Sequence, residues 1–432
     1  MSEHGSQESL RRHLRFFDVY ALSVGSVIGT GIFFLPGKAA LAMGPAAVFA
    51  LLIGAFLAGL LVLCYAEASS RFQGTGGAMR YAQVALGDVV AFEVGWATWI
   101  ARVVSWAALL NVFVTALLPL WPEADGHRIA LTVALAAALT IPNLRGVQMG
   151  GRVNTILTVL KLIPLIAFVG IGLLHVDAAR FTPLAPMGYD ALGATAVMML
   201  YAYVGFEGAV IPAAEMRDPR RKLPLALLLG MGTIFVVYAG IWTVCTGTLP
   251  GLAGAENPVG ESAATFLGPV GATIIQVGII VSVLGINAFM ALVTPRALYA
   301  LSIERLLPAW FGAVDARRVP ARAIWITSVA VVALSLTRSF EQLAVISVVA
   351  RLAQYIPTCF AVLRMRRMPD LPSPTFRMPF GPVIPLTAVG VCGWLLSETS
   401  LDRLAWGAAA VGAGLVFHLA WRRPWSADVP GT

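Results

Sequence analysis

The chain has 432 residues, of which 58% are hydrophobic and only 12% charged, and its mean hydropathy is +0.81. Soluble domains carry about 25% charged residues, so this composition excludes an ordinary soluble domain and indicates an all-α polytopic membrane protein. The net charge of +8 does not point to nucleic acid, because the basic residues sit in short loops between apolar runs and form no continuous basic face.

A membrane-crossing helix needs about 20 apolar residues. A tail over 1–16 carries Arg11, Arg12 and Arg15 ahead of the first apolar run, which reads as an uncleaved insertion signal. Twelve runs then follow, at 17–40, 46–67, 89–118, 128–144, 153–175, 189–214, 223–249, 268–299, 322–337, 340–362, 382–398 and 404–421. A second tail closes the chain at 422–432.

With the N-terminus placed in the cytoplasm, 22 of the 30 Lys and Arg residues fall in cytoplasmic segments. Four fall in external loops (Arg128, Arg180, Arg338, Arg403) and four inside runs (Lys38, Arg102, Lys161, Arg351). This alternation fits the positive-inside rule, with both termini cytoplasmic and the protein in the inner or plasma membrane. The four cysteines, Cys64, Cys245, Cys359 and Cys392, show no ligand spacing and read as reduced structural thiols.

The first run contains "GSVIGTGIFFLPG" (25–37), which places Gly25, Gly29, Gly31 and Pro36 inside a helix-length apolar segment. The sixth run contains "YAYVGFEGAVIPAAE" (201–215), where Gly205 and Gly208 flank Glu207 and Pro212 lies beyond. One such segment reads equally well as close helix packing. Two, at corresponding positions five runs apart, point to an inverted-repeat transporter with broken helices. Irregular backbone survives in a membrane only where it lines a cavity, and its freed groups can then act as ligands. A half-helix N-terminus suits a carboxylate, and the carbonyls ending the preceding half suit an ammonium.

These segments resemble the signature helices of the amino acid–polyamine–organocation transporter family. "GSVIGTGIFFLPG" is similar to its first helix. "YVGFEGAVIPAAEMRDPRRKLP" is similar to its sixth helix and following turn, and "NAFMALVTPRALYALSIERLLP" to the end of its eighth. The resemblance implies about twelve transmembrane helices in a LeuT-like, five-plus-five inverted-repeat fold, with helices 1 and 6 discontinuous. The repeats would be 17–175 and 189–362, with 382–421 as two additional helices. It also implies that backbone around Ser26, Gly29, Thr30 and Gly31 holds the substrate carboxylate. Carbonyls near Val27, Ile28 and Val204 would hold the α-amino group. Tyr201 would stand as an aromatic gate, and Phe206 at the break beside Gly205. Departures lie in "RFQGTGGAMRYAQ", where Gln73-Gly74-Thr75 and Met79 replace the usual pattern, and at Pro295, where a serine is usual. These bear on the inner gate.

Ionisable residues inside the membrane are functional candidates, since each costs about 2.5–3.5 kcal/mol on insertion scales. Lys161 lies about nine residues, or roughly 13 Å, into the fifth run. Proton-coupled relatives carry a lysine there, where sodium-coupled ones bind their cation, so Lys161 is the candidate for proton coupling. The competing reading is a structural cation against the ends of the broken first helix. Glu207 is the candidate for a conformational or proton-linked role. Arg102 and Arg351 lie near the middle of their runs and read either as buried ion pairs or as recognising an acidic substrate group. Glu67, Glu93, Lys38 and Arg296 sit close enough to run ends to be interfacial. Asn287, Met290 and Asn111 are pocket candidates or helix–helix glue.

Other classes fare worse. None of the five histidines pairs at catalytic or ligand spacing, and HExxH and GxSxG are absent, so the expectation is no enzyme, no cofactor and no metal. No phosphate-binding G-x-x-x-x-G-K-[ST] exists for an ATP-driven pump. A transporter-like sensor stays open. The expected partners are an amino acid or amine substrate, protons and the lipid bilayer. Proton symport and amino acid exchange both fit the sequence.

Overall fold

The computed structural model describes residues 12–337 and 340–397 and scattered residues between 405 and 418, the side chains of 197, 201, 340–350 and 395 excepted. Among these residues the chain is all helical, with no β-strand; one isolated bridge joins Leu14 to Met216.

The first apolar run is two helices, α1 (Phe16–Val27) and α2 (Gly31–Met43). Ile28 between them is extended at φ −71°, ψ 92°. Helices α3 (Ala47–Ser69), α5 (Asp88–Leu117), α6 (Arg128–Leu144) and α7 (Val147–Gly172) follow. A short amphipathic helix, α4 (Ala78–Leu86), lies between α3 and α5. That segment reads as a loop from its glycines; those glycines instead bound the helix, with Gly77 at φ +51° and Gly87 at φ +93°.

The sixth run is helical only as α8 (Leu192–Tyr203). Beyond it the chain proceeds in turns, with short 3₁₀ turns at Phe206–Gly208 and Ala213–Glu215. Asp218-Pro219 then opens α9 (Pro219–Thr248), with proline at the first helical position, where its missing N–H is harmless. Helix α10 (Pro258–Ile303) starts ten residues earlier than the apolar run predicts and kinks at Gly268 (φ +66°), immediately before Pro269. α11 (Ala321–Thr337), α12 (Phe340–Met365) and α13 (Val383–Ser397) complete the described helices. The predicted run at 404–421 lies largely outside the described residues.

Among the described residues, six helical stretches are long and apolar enough, by length and composition, to cross a membrane, and Ala321–Thr337 and Val383–Trp394 are shorter apolar helices. The first stretch, Phe16–Ser69, is 54 residues long, far more than the roughly 20 that one crossing needs. The protein is therefore a multi-pass membrane protein. Helix α5 packs on α10 and α12, α10 on α7, α3 on α8 and α9, and α1 on α7 and α9. The two interrupted segments lie inside this bundle, with Val24, Ile28, Val210 and Phe289 all fully buried.

Candidate functional site

The two interruptions meet. Gly205 adopts φ +126°, and a methyl group there would lie 2.3 Å from Ser26 O. Only glycine permits both that backbone and that approach. The Tyr238 hydroxyl sits between Val27 O (3.3 Å) and Ala202 O (3.1 Å), the last turns of α1 and α8. With one proton to donate, it ties the ends of both half-helices to α9.

At the first break, carbonyls freed by the end of α1 face protein donors. Lys161, fully buried on α7, donates from Nζ to Gly25 O (2.8 Å) and to Ile28 O. Ser282 Oγ on α10 lies 3.1 Å from Gly29 O and 3.3 Å from Ile28 O. The Ile28 carbonyl, expected near a substrate ammonium, thus faces Lys161.

A cavity of about 100 Å³ lies between the breaks. Ser26, Val27, Gly29, Thr30 and Gly31 line one side, with Ala202, Val204, Ser105, Met290 and Arg351 around them. Thr30 also lines a vestibule of about 890 Å³ that reaches Asn111, Arg128, Glu256 and Thr337 at one end of the bundle. Gly205, Ile28 and Phe206 are not on the cavity surface. Phe206 stacks on Tyr355 (6.1 Å between centroids, 9° between planes) and meets Tyr65 edge-on at 5.4 Å. Asn287 is buried and donates to Leu109 O (3.0 Å) and Val283 O (2.9 Å), so it joins α10 to α5. The Tyr201 side chain lies outside the described residues.

Glu207 is the centre of a buried polar network. Its Oε1 accepts from Arg351 Nη1 at 2.8 Å and Arg102 Nη2 at 3.3 Å. Its Oε2 accepts from Gly205 N at 2.9 Å and Tyr355 OH at 3.1 Å. Both mid-run arginines therefore converge on one carboxylate, and the network joins the second break to α5 and α12. Arg102 also lies over the Phe289 ring, 5.8 Å from its centroid. At Gly208 a methyl group would come within 2.7 Å of Arg102 Nη1, so glycine admits the guanidinium. Arg102 and Glu207 are almost fully buried, whereas 12% of the Arg351 side chain is exposed, and Arg351 is the member that reaches the cavity.

The end of the bundle opposite the vestibule is closed. Arg296 Nε bonds both oxygens of Glu215 at 2.9–3.0 Å, with neither side chain exposed by more than 2%. Leu14 N donates to Glu215 O, and Arg217 N to Leu14 O, each at 3.0 Å. Thr75 Oγ1 donates to Ile211 O at 2.6 Å, so the "QGTGG" loop is fastened to the second interrupted segment. Arg80 pairs with Glu304. Glu67 accepts from Arg366 Nε (2.7 Å), Arg366 Nη2 (2.6 Å) and Met378 N (2.9 Å). The expectation that Glu67 and Arg296 are interfacial is corrected: both are fully buried, because the N-terminal segment and the 366–380 segment fold over the ends of their helices.

Tyr238, Ser282, Tyr355 and Tyr65 were not singled out in the sequence. A tyrosine in mid-run carries a hydroxyl that needs a partner when buried, and that signal was available for Tyr238 and Tyr355. Ser282 offered none, because a serine in a membrane helix usually satisfies itself on its own helix. Among the described residues there is no group of three or more His, Cys, Asp or Glu side chains suited to a metal ion.

The family model described as "Amino acid permease" matches residues 14–397. The chain is 27% identical to the methylthioribose transporter of Bacillus subtilis over 428 residues, 94% of this chain and 92% of that protein. It is 30% identical to the branched-chain amino acid permease BcaP of Lactococcus lactis subsp. cremoris, over 89% of this chain and 88% of that protein. It is 27% identical to the serine/threonine exchanger SteT of Bacillus subtilis, over 92% and 93% respectively. These relatives are transporters and none is an enzyme. With the model matching most of its length, the chain belongs to the amino acid permease family, one of the amino acid–polyamine–organocation transporters its two glycine-interrupted segments resemble.

Proposed function

We propose that the protein is a proton-coupled amino acid symporter of the cell membrane that works by alternating access. In this reading residues 17–175 and 189–362 are the two inverted five-helix repeats, 382–421 add two helices, and both termini are cytoplasmic. The vestibule is then external, and the shape described above is the outward-facing one. A substrate carboxylate would meet backbone at Ser26 and Gly29–Gly31, where α2 begins and its amides lack intrahelical partners. Its ammonium would face Val204 O and the Val27 side of the cavity.

The observation that carries the coupling is Lys161. It places a fixed cation on the Gly25 and Ile28 carbonyls, so the broken helix has no need of a metal ion at that point. Loss of its proton would remove the charge that strengthens those two bonds and so loosen the end of α1. Glu207 is assigned a conformational role, as the joint between the second break and Arg102, Arg351 and Tyr355.

A second reading is obligatory exchange of one amino acid for another, favoured by the similarity to a serine/threonine exchanger. Proteoliposomes separate the two. An inward proton gradient should drive net accumulation of an amino acid into empty vesicles, and Lys161→Ala should abolish it. Uptake that requires internal amino acid and ignores the gradient would establish exchange. Gradient-driven accumulation by Lys161→Ala would remove Lys161 from coupling.

A further inference from the structure

A groove of about 690 Å³ lies at the closed end of the bundle, between α4, the end of α12 and the start of α13. Its floor is apolar, formed by Leu86, Phe360, Leu363 and Leu386. Phe360 and Leu386 are 43% and 53% exposed. Both stand on apolar helices of a membrane protein, so this floor continues onto the surface that faces acyl chains. The rim is basic, with Arg364, Arg367 and Arg377 lining the same groove.

Charge pairing separates these arginines from their neighbours. Arg366 also lines the groove but is held bidentate by Glu67. Arg71 and Arg220 are spent on the carbonyls of Pro372 (3.0 Å) and Ser373 (2.6 Å), which fixes the 366–380 segment over the helix ends. Among the described residues, Arg364, Arg367 and Arg377 meet no carboxylate at ion-pair distance and donate no side-chain hydrogen bond. The region is strongly positive. Burial holds Arg71 below its ordinary range, Glu67 opposes this, and the guanidiniums of Arg366, Arg377 and Arg220 push it further down.

Basic residues at helix ends can simply fix orientation and need no ligand. Such residues require neither a concavity nor an exposed apolar floor beneath them. A guanidinium trio at headgroup level over an apolar slot matches a molecule that is anionic at one end and hydrocarbon at the other. A soluble phosphate would leave Phe360 and Leu386 without a partner.

We propose that this groove is a binding site for an anionic glycerophospholipid, its phosphate on Arg364, Arg367 and Arg377 and an acyl chain along Phe360 and Leu386. The site stands apart from the transport cavity, so it is independent of the symport reading.

The test uses full-length protein, delipidated in detergent, with phosphatidylglycerol and phosphatidylcholine of matched chains. Phosphatidylglycerol should raise the unfolding temperature beyond the effect of phosphatidylcholine. Arg364→Gln/Arg367→Gln/Arg377→Gln should lose that increment while unfolding like the parent in phosphatidylcholine. Native mass spectrometry should show roughly tenfold weaker retention of phosphatidylglycerol by the triple variant. Arg377→Gln alone, on the exposed loop, gives a partial loss and serves if the triple variant folds poorly. Equal stabilisation by the two lipids, or an undiminished increment in the variants, overturns the proposal. So does inorganic phosphate reproducing the full increment, which would make the groove a site for a soluble anion.

Discussion

Gly205 lies so close to the carbonyl of Ser26 that an added methyl group would stand 2.3 Å from that oxygen, and it does so at φ +126°. The two broken segments are therefore in direct backbone contact, beside the cavity that Gly29–Gly31 line. Gly205→Ala combines a forbidden approach with a backbone that L-residues rarely adopt, a strain of about 1–3 kcal/mol before any clash. We expect lowered thermal stability and loss of substrate uptake together. Gly232→Ala, where an added Cβ meets nothing within 4 Å, should leave both unchanged. Normal uptake by Gly205→Ala would show that the contact is dispensable.

The tie at Tyr238 predicts a milder defect. Tyr238→Phe keeps the ring and its packing on Tyr203, 5.2 Å between centroids, but leaves Val27 O and Ala202 O without this donor. A buried hydrogen bond contributes about 0.5–1.5 kcal/mol, so the expected change is a drop of a few degrees in the unfolding temperature. Transport should fall more than stability, because the two carbonyls belong to the half-helices flanking the cavity. Transport and stability falling in step would make Tyr238 a purely structural residue.

For Glu207, charge matters more than shape. Glu207→Gln retains one oxygen for Gly205 N or Tyr355 but removes the anion between Arg102 and Arg351. Removing one partner of a buried pair costs about 3–5 kcal/mol. The second-site test is Arg102→Gln in the Glu207→Gln background. It removes a cation that is nearly fully buried, so the double variant should be more stable than Glu207→Gln alone. Additive losses would mean that Arg102 and Glu207 do not interact energetically.

What could be read in the sequence follows the physics that created it. The breaks at 28–30 and beyond Tyr203 were legible because glycine inside an apolar run is a local signal. The burial of Lys161 was legible because a lysine about nine residues inside an apolar run is too far from its end to reach water easily. The convergence of Arg102 and Arg351 on Glu207 was not, since these groups are 105 and 144 residues away from it in the chain, and nothing local selects among possible partners. The burial of Glu67 and Arg296 is not legible for a related reason. Position near a helix end says interface, but the segments around Leu14 and Met378 cover those ends, and that covering is tertiary. α4 was hidden because its flanking glycines read as loop rather than as helix boundaries.

The Arg296–Glu215 pair helps hold the closed end together. Both side chains are buried, and the same Glu215 contributes its backbone carbonyl to Leu14 N, so one residue fastens α10, the second interrupted segment and the N-terminal strand-like stretch. Arg296→Gln leaves a buried carboxylate unpaired, and opening that end to water relieves the penalty. Under alternating access the opening must close the vestibule. A reporter cysteine at Thr115, an exposed residue of the vestibule lining, reads this directly. The native Cys64, Cys245, Cys359 and Cys392 are all buried, so their background reaction with a polar maleimide is low. Labelling of Thr115→Cys should slow in proportion to the outward-open fraction, which falls about tenfold per 1.4 kcal/mol once Arg296→Gln has made the opposite opening the major state. Faster labelling, or none of the expected slowing, would mean that breaking the pair loosens the protein without turning it inward.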